Sequence, residues 1–221
     1  MSAAMPPPDC SEVTLRAGSL ALNAFLGVPQ EAKGIVVFAH GSGSGRMSPR
    51  NNYVAGRLRE AGLATLLLDL LTPEEEQDRR NVFDIDLLAA RLRFAVDRVA
   101  DFRETAHLRP AYFGASTGGG AAIRAAVGDP RIYAVVSRGG RPDLAGYDAL
   151  TQVTAPTLLI VGGLDGPVID LNRAAAKAMT CPCELTIVPG AGHLFEEAGT
   201  LDQVVELATS WFLGHLQDDA P

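Results

Sequence analysis

Two short alternating segments open the pattern. Glu12-Val-Thr-Leu-Arg-Ala17 and Leu20-Ala-Leu-Asn-Ala-Phe25 flank Gly18-Ser19, and alternation on both sides of a two-residue turn predicts an antiparallel hairpin at one edge of a sheet. From Gly34 the period changes. Short apolar runs at residues 35–39, 64–69, 111–115, 133–137, 157–161 and 185–188 are separated by amphipathic stretches, which is how parallel strands buried on both faces and joined by helices read. The clearest helix covers residues 83–102, where Ile85, Leu88, Leu92, Ala95, Val99 and Phe102 recur at spacings of three and four. Another starts near Asn51 or Asn52 and ends at Gly62. A last one covers residues 201–216, its faces marked by Val204, Leu207 and Trp211. The run Glu74, Glu75, Glu76, Asp78, Arg79, Arg80 reads as a solvated loop beyond a strand end.

These elements predict an open, mostly parallel, doubly wound α/β sheet of about 7–8 strands with helices on both faces. No repeat and no linker interrupts it, so residues 11–217 form one domain behind a loosely attached N-terminus at 1–10. Ligands of such sheets sit beyond the carboxyl ends of the strands.

Composition narrows the partners. The 221 residues carry a formal net charge of −7 and no basic cluster, which argues against nucleic acid, held mainly by Lys and Arg on phosphates. No apolar run approaches the roughly 18–20 residues of a membrane helix. The start of the chain lacks the basic and apolar regions of a secretory signal, so a cytoplasmic location is expected. Cys10, Cys181 and Cys183 are odd in number, and Cys181-Pro182-Cys183 matches neither a zinc nor a thioredoxin spacing. A small-molecule substrate and no metal or organic cofactor are expected.

The chemistry lies at three strand ends. Gly114-Ala-Ser-Thr-Gly118 is G-x-S-x-G between a predicted strand and a predicted helix. A serine at so sharp a turn takes a strained backbone conformation, and its neighbours two positions away must lack side chains for the turn to close. Ser116 is the candidate nucleophile, and it needs a base that a carboxylate orients. The strand at 157–161 leads into Gly162-Gly-Leu-Asp165, and that at 185–188 into Pro189-Gly-Ala-Gly-His193. The order Ser116, Asp165, His193 is that of α/β-hydrolase triads. Oxyanion donors are expected from the backbone N–H groups of Thr117, after the nucleophile, and of Ser42, in the glycine-rich loop after the first parallel strand. His40 competes as base by position, but a His-Gly pair there more simply shapes the loop.

The segments His40-Gly-Ser-Gly-Ser-Gly-Arg-Met-Ser-Pro-Arg-Asn51, Asp69-Leu-Leu-Thr-Pro-Glu74, Gly114-Ala-Ser-Thr-Gly-Gly-Gly120, Ser137-Arg-Gly-Gly-Arg-Pro-Asp143, Leu159-Ile-Val-Gly-Gly-Leu-Asp165 and His193-Leu-Phe-Glu-Glu197 together resemble α/β-hydrolases of the dienelactone hydrolase-like group. Dienelactone hydrolases proper carry cysteine as nucleophile. Ser116 in its place is what general carboxylesterases of the superfamily have. The resemblance implies a serine hydrolase acting on a small ester, lactone or thioester. Many relatives insert a helical cap between the strands that correspond to 133–137 and 157–161. The roughly 19 residues here suit an ordinary loop with a turn of helix, so no cap domain and an open site are expected, with Met47 and Phe195 as candidate apolar walls, core packing being the competing reading for Phe195. Arg138 and Arg141 follow a strand end. Either can hold a substrate carboxylate, but the simpler reading is an internal ion pair with Asp143, Asp69 or Glu196.

A nucleotide-binding or non-catalytic protein on the same scaffold is the alternative. Gly41-Ser-Gly-Ser-Gly45 follows a strand and Asp69 ends the next, yet neither G-x-G-x-x-G nor G-x-x-x-x-G-K-[ST] is matched.

Overall fold

A computed structural model describes residues 6–217. The hairpin comes first, β1 (Ser11–Ala17) and β2 (Leu20–Gly27). They pair antiparallel about Gly18, which takes a positive φ of 56°. Then come β3 (Ile35–Ala39), α1 (Pro49–Glu60), β4 (Ala64–Leu68), the short α2 (Pro73–Glu76) and α3 (Arg79–Val82), and α4 (Ile85–Val99). The second half comprises β5 (Pro110–Ala115), α5 (Thr117–Ala126), β6 (Val135–Arg138), a 3-10 turn (Pro142–Ala145), α6 (Tyr147–Gln152), β7 (Thr157–Gly162), α7 (Gly166–Ala178), β8 (Cys183–Val188) and α8 (Thr200–Gln217). One eight-stranded sheet has the order β1-β2-β4-β3-β5-β6-β7-β8. It is parallel from β4 through β8, with the hairpin appended antiparallel. This is the α/β-hydrolase architecture without a cap domain.

Alternation along the central strands divides the core in two, because successive side chains point to opposite faces. Val36, Phe38 and Phe113 pack with Val54 and Leu58 of α1 and with Val204, Ala208 and Phe212 of α8. Val37, Leu66 and Tyr112 face the other way, onto Leu88, Leu92 and Val96 of α4. The order of strand addition reverses between the parallel strands β3 and β5, so the connections that follow them diverge to opposite faces and leave a crevice at their carboxyl ends.

Three boundaries differ from the sequence pattern for local reasons. The run 74–80 is not a loop. Thr72 and Glu75 form a reciprocal capping box that starts α2, and Asp78 caps α3. The helix expected over 83–102 is shorter because Asp84 accepts from the Leu87 N–H at 2.9 Å and starts α4 afresh. β6 starts two residues later than its apolar pattern and ends one residue further, since Arg138 keeps its ladder place opposite Ala115 and Ile160.

Residues 1–5 lie outside the described part of the expected loose N-terminus. Asp9 is tied to α1, accepting from Nε and Nη2 of the buried Arg59 at 2.5 and 2.9 Å. No helix among the described residues is long and apolar enough to cross a membrane.

Candidate active site

The turn from β5 to α5 explains its own glycines. Ser116 has φ 52° and ψ −122°, a conformation unfavourable for a residue with a Cβ. It is held there by its neighbours. Its N–H donates to the Arg138 carbonyl at 3.2 Å, and its own carbonyl accepts from Gly119 at 2.9 Å and Arg141 at 3.0 Å. A Cβ at position 114 would stand 2.4 Å from the Gly118 carbonyl oxygen, and one at position 118 would stand 2.2 Å from that of Ala39. Only glycine fits either place. Gly41 is close but less constrained, since a Cβ there would meet the Ser116 Cβ at 3.1 Å.

Strand register brings the other two candidates to Ser116. Gly162 and Val188 pair at the ends of β7 and β8, and Asp165 and His193 follow in adjoining turns. His193 Nδ1 lies 2.6 Å from Asp165 Oδ2, and Nε2 lies 3.2 Å from Ser116 Oγ. With the Nδ1 proton donated to the carboxylate, the Nε2 lone pair faces the hydroxyl. The Asp165 side chain is 14% exposed and that of His193 37%, so the acid is shielded while the imidazole reaches the cleft. The His193 loop is fixed at its base. Glu197 accepts from the Gly192 N–H at 3.0 Å, a bond that holds its carboxyl below the usual range. Phe195, at φ 56°, is buried in the core.

The loop after β3 is pinned from beneath. Asp69 accepts from the Arg46 N–H at 2.7 Å and from the Arg46 guanidinium, which also reaches Glu12 at 3.1 Å. Asn52 Nδ2 donates to the carbonyls of Arg46 and Ser48 at 2.7 and 2.9 Å. Within this frame, no turn bond among the described residues uses the N–H of Ser42 or of Thr117; Thr117 follows Ser116 in the chain, and Ser42 lines the same cleft as Ser116. Both oxygens of Asp69 are taken by Arg46, so no carboxylate is left there for a ribose diol. His40 is 8% exposed. Its Nδ1 donates to the Gly41 carbonyl at 3.0 Å, and its Nε2 accepts from the Leu70 N–H at 3.1 Å. Burial pushes its pKa down and keeps it neutral.

A cleft of about 960 Å³ opens over these groups, with His40, Ser42, Ser116 and His193 on its floor. Met47 lines it as expected, and Arg138 does as well. Two other candidates do not, and for Arg141 the structure gives the ion pair that is the simpler reading of the sequence. Phe195 lies 2% exposed beneath the surface, and Leu194 takes its place in the wall. Arg141 stays outside, forked onto Asp143 at 2.8 and 2.7 Å. Leu71, Val82 and Leu88 also line the cleft, together with Thr72 and Glu76. Arg50 and Asn51, which the sequence pattern did not single out, enter from the first turn of α1. The cap Ser48-Pro49 was the available signal that this helix begins at the cleft.

Known proteins resemble this chain in sequence and in fold. The dienelactone hydrolase family model matches residues 22–211. A solved dienelactone hydrolase of Anabaena variabilis is 54% identical, with a TM-score of 0.88 over 93% of this chain and 98% of that one. Est1E of Butyrivibrio proteoclasticus shares the fold at 17% identity, with a TM-score of 0.79 over 93% and 98% of the two chains. Two curated proteins from strains of Mycobacterium tuberculosis, provisionally named phosphoribosyl transferases, are 58% identical over all of this chain, which spans 50% of their length. By family model, by sequence identity along nearly its whole length and by fold, the chain belongs to the dienelactone hydrolase family of α/β hydrolases.

Proposed function

We propose that the chain is a serine hydrolase that cleaves a small carboxylic ester, lactone or thioester through an acyl-enzyme intermediate. One observation carries the reading: a single imidazole spans Asp165 and Ser116 at 2.6 and 3.2 Å. Ser116 Oγ attacks the carbonyl carbon while His193 Nε2 takes the hydroxyl proton, and Asp165 holds the ring and stabilises its charged form. The carbonyl oxygen becomes an oxyanion facing the N–H groups of Ser42 and Thr117. Collapse of the tetrahedral intermediate transfers the proton from His193 to the leaving oxygen or sulfur. Water then repeats the sequence on the acyl-serine, returns the proton through His193 and restores Ser116.

The open cleft, whose lining mixes Leu71, Val82 and Leu88 with polar groups, suits a short acyl or alcohol part rather than a long chain. The phosphoribosyl transfer named for the mycobacterial relatives we assign to the half of those proteins that this chain does not match, because this chain, the counterpart of the other half, has hydrolase triad geometry.

Stopped-flow hydrolysis of p-nitrophenyl acetate tests the reading. A burst of one equivalent per chain is expected, with a matching acetyl adduct on the Ser116 peptide, and both should vanish in Ser116→Ala. Wild-type turnover in Ser116→Ala would overturn the proposal.

A further inference from the structure

Asn172 is a fully buried polar residue on α7 that takes no part in the proton transfers, and its bonding is lopsided. Its Nδ2 donates twice, to the Gly140 carbonyl at 2.9 Å and to the Val168 carbonyl one turn back at 2.8 Å. Its Oδ1 is buried with no partner among the described residues. Both neighbours of Nδ2 are carbonyl oxygens, which only the amide NH2 can serve, and an acceptor left unpaired in the core is costly. The side chain is therefore kept for what it donates. The bond to Val168 stays within its own helix, whereas the bond to Gly140 reaches 32 residues along the chain to another element.

Gly140 belongs to the segment that holds the elbow. The Arg138 carbonyl accepts from the Ser116 N–H at 3.2 Å, and the Arg141 N–H donates to the Ser116 carbonyl at 3.0 Å, so the residues on either side of Gly139-Gly140 grip the backbone of Ser116. The same segment touches the base. Gly139, at φ 53°, donates its N–H to the Ile160 carbonyl at 2.7 Å, and a Cβ there would stand 2.9 Å from the His193 carbonyl oxygen and 3.7 Å from His193 Nδ1. Against α5 there is no slack. A Cβ at Gly120 would stand 2.6 Å from the Arg141 carbonyl oxygen, and one at Gly119 would stand 3.0 Å from the Gly140 Cα. The helix at the other end of the tether starts at the acid, because Asp165 is the N-cap of α7 and Asn172 follows it by about two turns.

We propose that Asn172 is a positioning residue that sets the distance between His193 and Ser116. Its amide fastens the helix that begins at Asp165 to the Gly139-Gly140 turn, which meets the base on one side and, through Arg138 and Arg141, the nucleophile on the other. Without that bond the triad loosens at the 3.2 Å contact between His193 and Ser116, while Asp165 and His193, in adjoining turns after β7 and β8, stay paired. The effect on rate rests on the hydrolase reading, whereas the effect on geometry does not.

Two measurements on the whole chain separate them. In Asn172→Leu, which keeps nearly the same volume and removes the donor, the p-nitrophenyl acetate burst should slow by about 10–100-fold, the scale of a small misplacement of reacting groups, while the substrate concentration giving half the maximal burst rate stays within about twofold. Met179→Ala opens a cavity at the far end of α7. It should lower the urea midpoint at least as much and leave the burst rate unchanged. The second measurement reads the imidazole without turnover. In 1H–15N spectra of the histidine-labelled chain, Ser116→Ala removes the hydroxyl from His193 Nε2 and shifts its resonance. Asn172→Leu should reproduce that shift with the Nδ1 proton still held by Asp165, and Met179→Ala should not. Asn172→Ala adds no bulk and carries both measurements if Asn172→Leu fails to fold. A wild-type burst rate in the Asn172 variants, or a slowed burst with an unshifted Nε2 resonance, overturns the positioning role while the serine hydrolase stands. No burst in wild type, with the shift present in the Asn172 variants, would overturn the hydrolase reading and leave the positioning role.

Discussion

Two histidines stand past the carboxyl ends of parallel strands on the floor of one cleft, and they are bonded in opposite senses. His193 gives its Nδ1 proton to a carboxylate and turns Nε2 toward a hydroxyl. His40 gives its Nδ1 proton to a backbone carbonyl and has Nε2 occupied by the Leu70 N–H. Both lie in glycine-rich loops, so neither residue type nor loop composition separates them. The group at Nδ1 does. A carboxylate can stabilise an imidazolium formed during a proton transfer, whereas a carbonyl in a buried setting leaves the neutral ring favoured. His193 is therefore equipped to gain and lose a proton, and His40 to tie the end of β3 to the chain beyond β4.

The sharpest way to break the contrast is to remove the charge at Nδ1 of His193. Asp165→Asn retains size and hydrogen bonding, but the amide can donate to Nδ1 and so stabilise the tautomer whose Nε2 carries a proton and faces Ser116 without a lone pair. The expected loss in kcat is about 10⁴-fold, as in other triads, measured on p-nitrophenyl acetate. Little change in the urea midpoint should accompany it, since one side-chain amide replaces one carboxylate of nearly equal volume. A variant within tenfold of wild type would mean that the carboxylate has only a structural role.

The second test acts on the other histidine and should move the other observable. His40→Ala leaves the Leu70 N–H and the Gly41 carbonyl without their partners and opens a cavity between β3 and β4. An unpaired buried polar group costs about 1–3 kcal/mol, so a total loss of about 2–4 kcal/mol is expected, read as a lower urea midpoint. The fall in kcat should be orders of magnitude smaller than for Asp165→Asn, because His40 holds the loop and transfers no proton. A rate loss as large as that of Asp165→Asn, with stability intact, would exchange the two roles.

Much of this contrast was legible before any coordinates, for a steric reason. The elbow demands glycine at 114 and 118, where the carbonyls of Gly118 and Ala39 leave no space for a Cβ, so the proposed nucleophile is marked by the residues around it. Chain order then separated His193 from His40. The arginines were less legible. Arg138 and Arg141 differ by three positions and follow the same strand, yet Arg141 finds Asp143 two residues on, while Arg138 faces Asn51 from a distant helix. The absence of a carboxylate around Arg138 is a property of the packed structure, and local sequence carries no trace of it. Phe195 was misjudged for a related reason. Its positive φ turns the ring under the loop, and the adjacent Leu194 faces the cleft instead. The short helices α2 and α3 escaped notice because their charges resemble a solvated loop, although Thr72-Pro-Glu-Glu75 is a capping box with proline at the first helical position.

The smallest expected effect concerns acid. The His40 pKa lies below its ordinary 6.5 in the folded chain because burial disfavours the charged ring. As pH falls through about 6.5, the unfolded chain takes up a proton that the folded chain refuses, so the unfolded state binds more protons and stability must drop. Above that range both states are neutral at this residue and its contribution is flat. One such group gives a slope of at most about 1.4 kcal/mol per pH unit. His40→Gln offers one donor and one acceptor and never titrates, so it should be less stable than wild type at pH 8 and should close part of that gap between pH 6.5 and 5 in urea unfolding. Parallel curves for the two proteins would mean that His40 takes up its proton in the folded state as readily as in the unfolded one. The difference drawn between the two histidines would then rest on geometry alone.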